Sequence, residues 1–178
     1  MGSEDVYKRQ PKTPPRNHLA HLVDIKGKTY VTDVGFGGLT TRIPLNINDT
    51  SEVKDKDGIV RIIPFRENQF MIQRLLENGW SNQYSFENVE ISEEDIEISN
   101  YYMSTNPKSH FFNDRFIGKF TANGRIGLFN NQMSIRNGIK IIDKKQVDYG
   151  KEWLKNLENE FYLNLDFSIQ ELNILFNK

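Results

Sequence analysis

Short apolar runs separated by turn residues make up the first half of the chain. Residues 17–25 and 28–34 are rich in β-forming side chains, and the Lys26-Gly27 pair between them is a hairpin signal. The same pattern returns after Pro44 in three further runs, at residues 59–65, 70–76 and 80–86. Short strands at this spacing predict an antiparallel sheet or a small β-barrel over residues 11–90.

The second half of the chain combines strand and helix periodicity. Ser92 and Asp95 have the spacing of a helix cap, so we expect a helix over residues 92–104. Strand-like runs with Asn-Gly turns follow at residues 115–121, 125–129 and 138–142. Apolar residues then recur at helical spacing, at Trp153, Leu154, Leu157 and Phe161 and over residues 169–176. The sequence therefore predicts an α+β fold, with a smaller α/β module over residues 91–178.

Composition narrows the class of protein. The chain has 178 residues, of which 37% are hydrophobic, with a formal net charge of -1 and a mean hydropathy of -0.62. These values are typical of a soluble protein with one or two domains. The balanced charge offers no basic surface, and no apolar run approaches the ~20 residues of a membrane helix. We therefore expect neither nucleic acid nor a membrane as a partner.

Two features concern what the chain lacks and where it starts. It contains no cysteine, so it supplies no disulfide, no thiolate zinc ligand and no cysteine nucleophile.

The polar start, MGSEDVYKRQ, predicts disorder, and DVYKRQ resembles the translation of a transposon-end sequence used in library preparation. We expect residues 1–10 to be an assembly artefact, with an ordinary disordered tail as the alternative. On the artefact interpretation, this chain is the downstream part of a longer protein.

The hairpin predicts a histidine–aspartate pair. A two-residue loop at Lys26-Gly27 pairs residues whose numbers sum to 53, so Ala20 lies opposite Asp33 and His18 opposite Gly35. His18 and Asp33 are then diagonal neighbours on one face, ~7–8 Å apart at the backbone and within side-chain reach. A carboxylate and the imidazole that it orients are two of the three parts of a catalytic triad, and the nucleophile is missing.

Other interpretations of these residues stay open at this point. A histidine–aspartate pair across a hairpin is more often structural than catalytic. A three-residue loop would pair His21 with Asp33 instead of His18. A metal site from His18 and His21 is disfavoured because residues three apart on a strand face opposite ways. A phosphate site at residues 35–38 lacks the Gly-Lys-Ser/Thr sequence that would support it.

Three segments resemble the arylamine N-acetyltransferases. Residues 14–38, PPRNHLAHLVDIKGKTYVTDVGFGG, match the family pattern Pro-Arg-Thr-His, a strand and Asp-Val-Gly-Phe-Gly. Residues 100–111, NYYMSTNPKSHF, match a second family segment, and KNLENEFYLNL resembles its closing helix and strand. The match selects His18 over His21, and Asn17 replaces the usual threonine.

The resemblance implies a ping-pong acetyl transfer on a Cys-His-Asp triad. Acetyl-CoA would acylate a cysteine, and an aromatic amine or hydrazine would then take the acetyl group, with no other cofactor and no metal. His18 would hold the cysteine as a thiolate and move protons, and Asp33 would orient the imidazole. The residues implied in substrate or CoA binding are Asn17, Phe36, Gly37, Tyr102, Ser109 and Phe111.

The resemblance also implies an architecture and a location. Family members combine a helical domain, a β-barrel and an α/β lid in a cysteine-protease-like (transglutaminase-like) arrangement, and this chain looks like the last two. The helical domain with its Arg-Gly-Gly-x-Cys motif is absent from the sequence, so we expect this chain to be inactive alone. Use of acetyl-CoA implies the cytoplasm. The alternatives are an amide synthase of the same family, a non-catalytic acyl-CoA-binding or partner-binding module, and a purely structural β-sandwich.

Overall fold

A computed structural model of the protein describes residues 16–176. The prediction for residues 1–10 lies outside the described residues. Within them, the chain forms antiparallel sheets and helices, as expected for an α+β fold. No helix in the described part of the chain is both long enough and apolar enough to cross a membrane.

The first sheet contains the predicted hairpin. Its strands are β1 (His21–Ile25), β2 (Lys28–Thr32) and the short β3 (Leu45–Asn46), in the order β1-β2-β3. Lys26 and Gly27 have φ values of 51° and 75°, which is the backbone of a two-residue hairpin turn. Ile25 pairs with Lys28, and His21 pairs with Thr32, so the predicted register is confirmed.

The second sheet covers the first and shares its core. Its strands are β4 (Val53–Asp55), β5 (Gly58–Arg66), β6 (Gln69–Leu76) and β7 (Gly79–Glu87), in chain order. The apolar side chains that pack between the two sheets are Val31, Leu45, Ile47, Val60, Ile62 and Ile72. The strands predicted over residues 59–86 are therefore present. Within residues 16–176 they form open sheets, and a closed barrel is not seen.

Two helices follow the second sheet. The first, α1 (Glu93–Thr105), begins at the predicted cap, where Ser92 and Asp95 bond to each other's backbone N–H groups. None of its residues is buried. The short α2 (His110–Asn113) begins at Ser109. The sequence pattern predicts α1 and gives no signal for α2.

The third sheet and the C-terminal helices form a second core. The strands are β8 (Phe116–Phe120), β9 (Gly124–Phe129), β10 (Gln132–Asn137) and β11 (Lys140–Gln146), in the order β11-β10-β9-β8. Helices α3 (Lys151–Phe161) and α4 (Ile169–Phe176) pack on this sheet. Their common core contains Ile126, Leu128, Met133, Val147, Trp153, Leu157, Phe161 and Leu172.

The third sheet departs from the sequence prediction at two strands. The strand predicted over residues 138–142 begins at Lys140 and continues to Gln146, with every residue exposed. Strand β10 was not predicted, because its sequence QMSIRN is mostly polar and buries only Met133. The two cores lie on either side of residue 90 in sequence, and the division into modules at that point stays a prediction.

Candidate active site

His18 and Asp33 are in direct contact. The imidazole Nε2 of His18 lies 2.7 Å from the Oδ2 atom of Asp33. The Asp33 side chain is 1% exposed and the His18 side chain is 23% exposed, so the carboxylate is covered while the ring reaches solvent. His21 pairs with Thr32 in the β-ladder instead. The predicted choice of His18 over His21 as the neighbour of Asp33 is confirmed.

The second carboxylate oxygen of Asp33 is held by the backbone that follows it. Oδ1 accepts hydrogen bonds from the amides of Gly35 at 2.9 Å and Phe36 at 3.0 Å. Burial works to raise the pKa of Asp33, but the Gly35 amide, the His18 ring and the Phe36 amide outweigh it, so the pKa lies below its ordinary value. Asp33 is therefore an ionised carboxylate aimed at the imidazole.

The glycines after Asp33 shape a tight turn. Gly37 and Gly38 have φ values of 71° and 52°, in the left-handed region where residues with a Cβ are strained. A Cβ at Gly35 would lie 3.8 Å from Cε1 of His18, which is an ordinary van der Waals contact. The glycine-rich stretch thus allows the backbone to fold back under Asp33.

Two aromatic rings enclose the imidazole. The ring centroids of Phe36 and Tyr84 lie 5.2 Å and 5.5 Å from that of His18, both in edge-on geometry, and 4.6 Å from each other. Burial, followed by the neighbouring Asp33 carboxylate, raises the pKa of the Tyr84 hydroxyl. Phe36 was a predicted site residue. Tyr84 was not, because it lies in β7 and nothing in its local sequence distinguishes it from a core aromatic.

The other predicted site residues lie apart from the histidine–aspartate pair. Asn17 is exposed and directly precedes His18. Tyr102 in α1 is 39% exposed and Phe111 in α2 is 52% exposed. Ser109 is buried, and its hydroxyl donates to the Met103 carbonyl at 2.7 Å. Within the described chain, no hydrogen bond or ring contact joins these α1–α2 residues to the pair.

A buried group of five charged residues lies behind the turn, and we call it the charge cluster. It comprises Arg42, Arg74, Arg125, Asp55 and Asp57. Arg74 donates to both oxygens of Asp55, at 2.6 and 2.8 Å. Asp57 accepts from Arg42 at 2.9 and 2.8 Å and also from Arg125. Burial works to raise the pKa of both aspartates, but the arginines outweigh it, so both remain charged.

The charge cluster was missed in the sequence analysis because its members are far apart along the chain. Asp55 and Asp57 lie in a segment whose composition indicates a polar loop. Arg125 comes from β9 in the third sheet, and it reaches Asp57 beside the second sheet. The one available signal was Arg74, a charge inside the apolar run at residues 70–76, because such a residue needs a buried partner.

The geometry supports proton transfer at one atom of His18. Asp33 occupies Nε2, so Nδ1 is the ring nitrogen left to exchange a proton with a reacting group. Residues 16–176 contain no group of three or more histidines, cysteines or acidic residues that could hold a metal ion. The site therefore consists of an imidazole with a buried carboxylate at one ring nitrogen and its other ring nitrogen open.

Comparisons with known proteins identify the family of this chain. The family described as N-acetyltransferase matches residues 1–170. The arylamine N-acetyltransferase of Escherichia coli is 22% identical over 176 residues, which is 96% of this chain and 62% of that protein.

Solved structures of two such enzymes share the fold. The arylamine N-acetyltransferase of Salmonella typhimurium superposes with a TM-score of 0.85 at 22% identity, over 94% of this chain and 63% of that one. The enzyme of Mycobacterium marinum in complex with CoA gives 0.84 at 21% identity, over 93% and 62%. The chain thus spans less than two thirds of these relatives. The resemblance to arylamine N-acetyltransferases is confirmed, and the chain belongs to the N-acetyltransferase family.

Proposed function

We propose that His18 and Asp33 are the base and the orienting carboxylate of an acetyl-CoA-dependent N-acetyltransferase that acts on aromatic amines or hydrazines. The observation that carries this proposal is the 2.7 Å contact between Nε2 and Oδ2, which leaves Nδ1 open. A buried carboxylate held by two backbone amides favours the imidazolium form during proton transfer without taking the proton itself. Membership of the N-acetyltransferase family supports acetyl transfer as the reaction in which this pair acts.

The reaction proceeds through a cysteine thioester. Nδ1 of His18 takes the thiol proton, and the thiolate attacks the acetyl carbonyl of acetyl-CoA. CoA leaves as its thiol with the proton from the imidazolium. The amine then attacks the thioester, His18 takes the amine proton and returns it to the cysteine sulfur, and the acetylated amine departs. Because this chain has no cysteine, the nucleophile comes from a segment outside these 178 residues, and the chain alone is inactive.

In this proposal the remaining predicted residues would line the acyl pocket and the path of CoA. Phe36 contacts the imidazole and would line the acyl pocket, and Gly37 would line the pantetheine channel. Tyr102 and Phe111 have exposed rings that can meet CoA, whereas Ser109 would act through its backbone because its hydroxyl is engaged. Asn17 would lie at the channel entrance. The CoA complex of the Mycobacterium marinum relative supports a CoA site in this family.

The proposal includes the domain arrangement of the whole protein. The first two sheets correspond to the barrel domain over residues 11–90, and the third sheet with its helices corresponds to the α/β lid over residues 91–178. A helical domain with the cysteine completes a cysteine-protease-like architecture. The partners are acetyl-CoA and an aromatic amine or hydrazine rather than nucleic acid or a membrane, and the location is cytoplasmic.

The test begins with contiguous genomic DNA read upstream of the Pro11 codon. An in-frame Arg-Gly-Gly-x-Cys segment is expected, and the intact product should acetylate an aromatic amine with parallel-line kinetics. In that product His18→Gln should abolish the acetyl-enzyme seen by mass spectrometry. His110→Gln is the matched control, because His110 also contacts an aspartate, Asp114 at 3.2 Å, but is 88% exposed. Acetyl transfer by the present chain alone would contradict the proposal.

The absence of cysteine favours one other function, a non-catalytic module that binds acyl-CoA or a protein partner. Titration calorimetry with CoA separates the two. A binding module should bind CoA alone, whereas half of an active site should bind it weakly or not at all. An amide synthase of the same family would not use acetyl-CoA as its donor, because it transfers the acyl group of another compound.

A further inference from the structure

Two arginines donate hydrogen bonds to the backbone of the turn that follows Asp33. Arg74 donates from Nε to the Leu39 carbonyl at 3.0 Å and from a terminal nitrogen to the Thr40 carbonyl at 2.9 Å. Arg125 donates to the same Thr40 carbonyl at 3.0 Å and to the Gly37 carbonyl at 3.4 Å. Three carbonyls of one turn are therefore bound by guanidinium groups.

Both arginines are themselves fixed. Arg74 is fully buried and bound at both terminal nitrogens by Asp55. Arg125 is 8% exposed and is bound by Asp57. Arg74 belongs to the second sheet and Arg125 to the third, so these hydrogen bonds join the turn to both sheets.

The turn at residues 37–40 directly follows the two residues that contact the histidine–aspartate pair. The amides of Gly35 and Phe36 bind Oδ1 of Asp33, and the Phe36 ring packs against His18. Gly37, whose carbonyl faces Arg125, is the next residue. Glycines at positions 37 and 38 would leave this turn free to rotate if its carbonyls were not held.

We propose that Arg74 and Arg125 are positioning residues, which fix the turn at residues 37–40 and thereby hold the Gly35 and Phe36 amides and the Phe36 ring against the His18–Asp33 pair. This rests on the proposed function of that pair. A cluster that served only to neutralise Asp55 and Asp57 would need two cations. Instead it contains three, and two of them, Arg74 and Arg125, also donate to the carbonyls of this turn, which the planar fork of arginine can reach.

Arg42 offers a matched control within the same cluster. It binds Asp57 through two nitrogens, as part of the same ionic group as Arg125. Its other donors go to the carbonyls of Thr121 and Gly124 rather than to the turn. Arg42→Lys and Arg125→Lys therefore both keep the charge and both disturb the ligation of Asp57, and only the second removes guanidinium donors from the turn carbonyls.

The experiment follows Asp33 and His18 by NMR in the present chain. In Arg125→Lys the pKa of the Asp33 carboxyl, read from its ¹³C shift, should rise toward its ordinary value of about 4 because the amide hydrogen bonds loosen. The His18 Cε1–H signal should also shift as the Phe36 ring moves. Arg42→Lys should leave both signals in place. Equal changes in the two variants, or none in either, would overturn the proposal.

Hydrogen exchange tests the same idea without a variant, should Arg125→Lys fail to fold. The amides of Gly35, Phe36 and Thr40 are hydrogen-bonded within the turn segment. If the arginines fix the turn, these amides should be protected from exchange as strongly as the amides of the β5–β6 ladder. Both sets should then exchange only by global unfolding. Fast exchange of these amides beside a protected ladder would refute the proposal. None of these measurements depends on acetyl transfer, so a failure of the proposed function would be seen separately.

Discussion

His18 and Asp33 contact each other just beyond the ends of the strands that bring them together. The β1–β2 ladder stops at the pair of His21 and Thr32, yet Nε2 of His18 reaches Oδ2 of Asp33 at 2.7 Å. The register of the hairpin sets which residues meet, and the end of the ladder gives their side chains room to do so. A shift of the register by one residue would bring His21 to Asp33 instead.

Asp33→Asn in the intact protein should lower kcat by about 10³- to 10⁴-fold. The asparagine oxygen can still accept from the Gly35 and Phe36 amides, but its NH₂ group then faces Nε2 of His18. An amide there imposes the wrong tautomer and gives no charge to stabilise the imidazolium. Steady-state acetylation of an aromatic amine measures the loss.

Asp24→Asn is the control for that substitution. Asp24 lies on the same hairpin and accepts a hydrogen bond from the Thr29 hydroxyl, so it is an aspartate with a local structural role. Its substitution should leave kcat within a factor of about 2, as expected for a surface change of small effect. An Asp33→Asn enzyme as active as the Asp24→Asn enzyme would show that the carboxylate has no part in the reaction.

The sequence was sufficient to predict the parts of the site that local chemistry determines. Lys26-Gly27 fixed the register of the hairpin, and the register placed His18 beside Asp33. The start of α1 was equally local, since Ser92 and Asp95 bond to each other's backbone. In both cases the partners lie within about 15 residues, so turn and cap rules were enough.

The rest of the site depends on contacts that no local pattern encodes. Tyr84 reaches His18 from another sheet, and Arg125 reaches Asp57 from a different core. The apolar pattern likewise gave five of the seven strands of the first two sheets, but it missed β3 and placed β4 in a polar loop, and it did not say whether the sheets close. Strand order and closure follow from which edges meet in three dimensions, and the described sheets remain open.

Tyr84 should make the protein sensitive to alkaline pH. Burial and the neighbouring Asp33 raise the pKa of its hydroxyl in the folded state above the ordinary value of about 10. The stabilisation is therefore complete below about pH 10, and it falls as the pH rises, because the unfolded chain loses a proton that the folded chain keeps. Urea unfolding of the present chain at a series of alkaline pH values should show this decline.

Tyr84→Phe should flatten that decline while keeping the ring contacts with His18 and Phe36. Tyr162→Phe is the control, since Tyr162 is 79% exposed and its removal should leave the pH dependence unchanged. Direct absorbance titration should agree, with Tyr84 ionising only as the protein unfolds. An identical alkaline slope in Tyr84→Phe and the unmodified chain would exclude Tyr84 as its source.

Arg74→Met should destabilise the protein by about 3–5 kcal/mol. The side chain of Arg74 is fully buried, and its loss leaves the Asp55 carboxylate without its bidentate partner and the Leu39 carbonyl without a donor. Arg61→Met is the control. Arg61 stacks on the Trp80 ring at 3.9 Å on the outer side of the sheet, so its loss should cost less than about 1 kcal/mol. Equal midpoints of urea unfolding for the two variants would contradict the burial argument.

Gly124→Ala should destabilise the third sheet although the backbone of Gly124 needs no left-handed conformation. A Cβ at this position would lie 1.8 Å from the carbonyl oxygen of Arg136 on β10, and backbone cannot yield as a flexible side chain can. The strands would have to separate where the Gly124 carbonyl accepts from Arg42, so the substitution also disturbs the charge cluster. We expect a loss of about 3 kcal/mol in the free energy of unfolding, as in overpacked cores.

Gly127→Ala isolates the effect of close backbone approach from the general effect of adding a methyl group to β9. A Cβ at Gly127 would lie 3.6 Å from the Ser134 hydroxyl oxygen, which is an ordinary contact. The alanine there should cost little or even stabilise the strand, because glycine is unfavourable inside strands. Thermal unfolding of the two variants should therefore separate them widely. If both melt together near the unmodified chain, then β9 and β10 do not approach as closely at Gly124 as the geometry indicates.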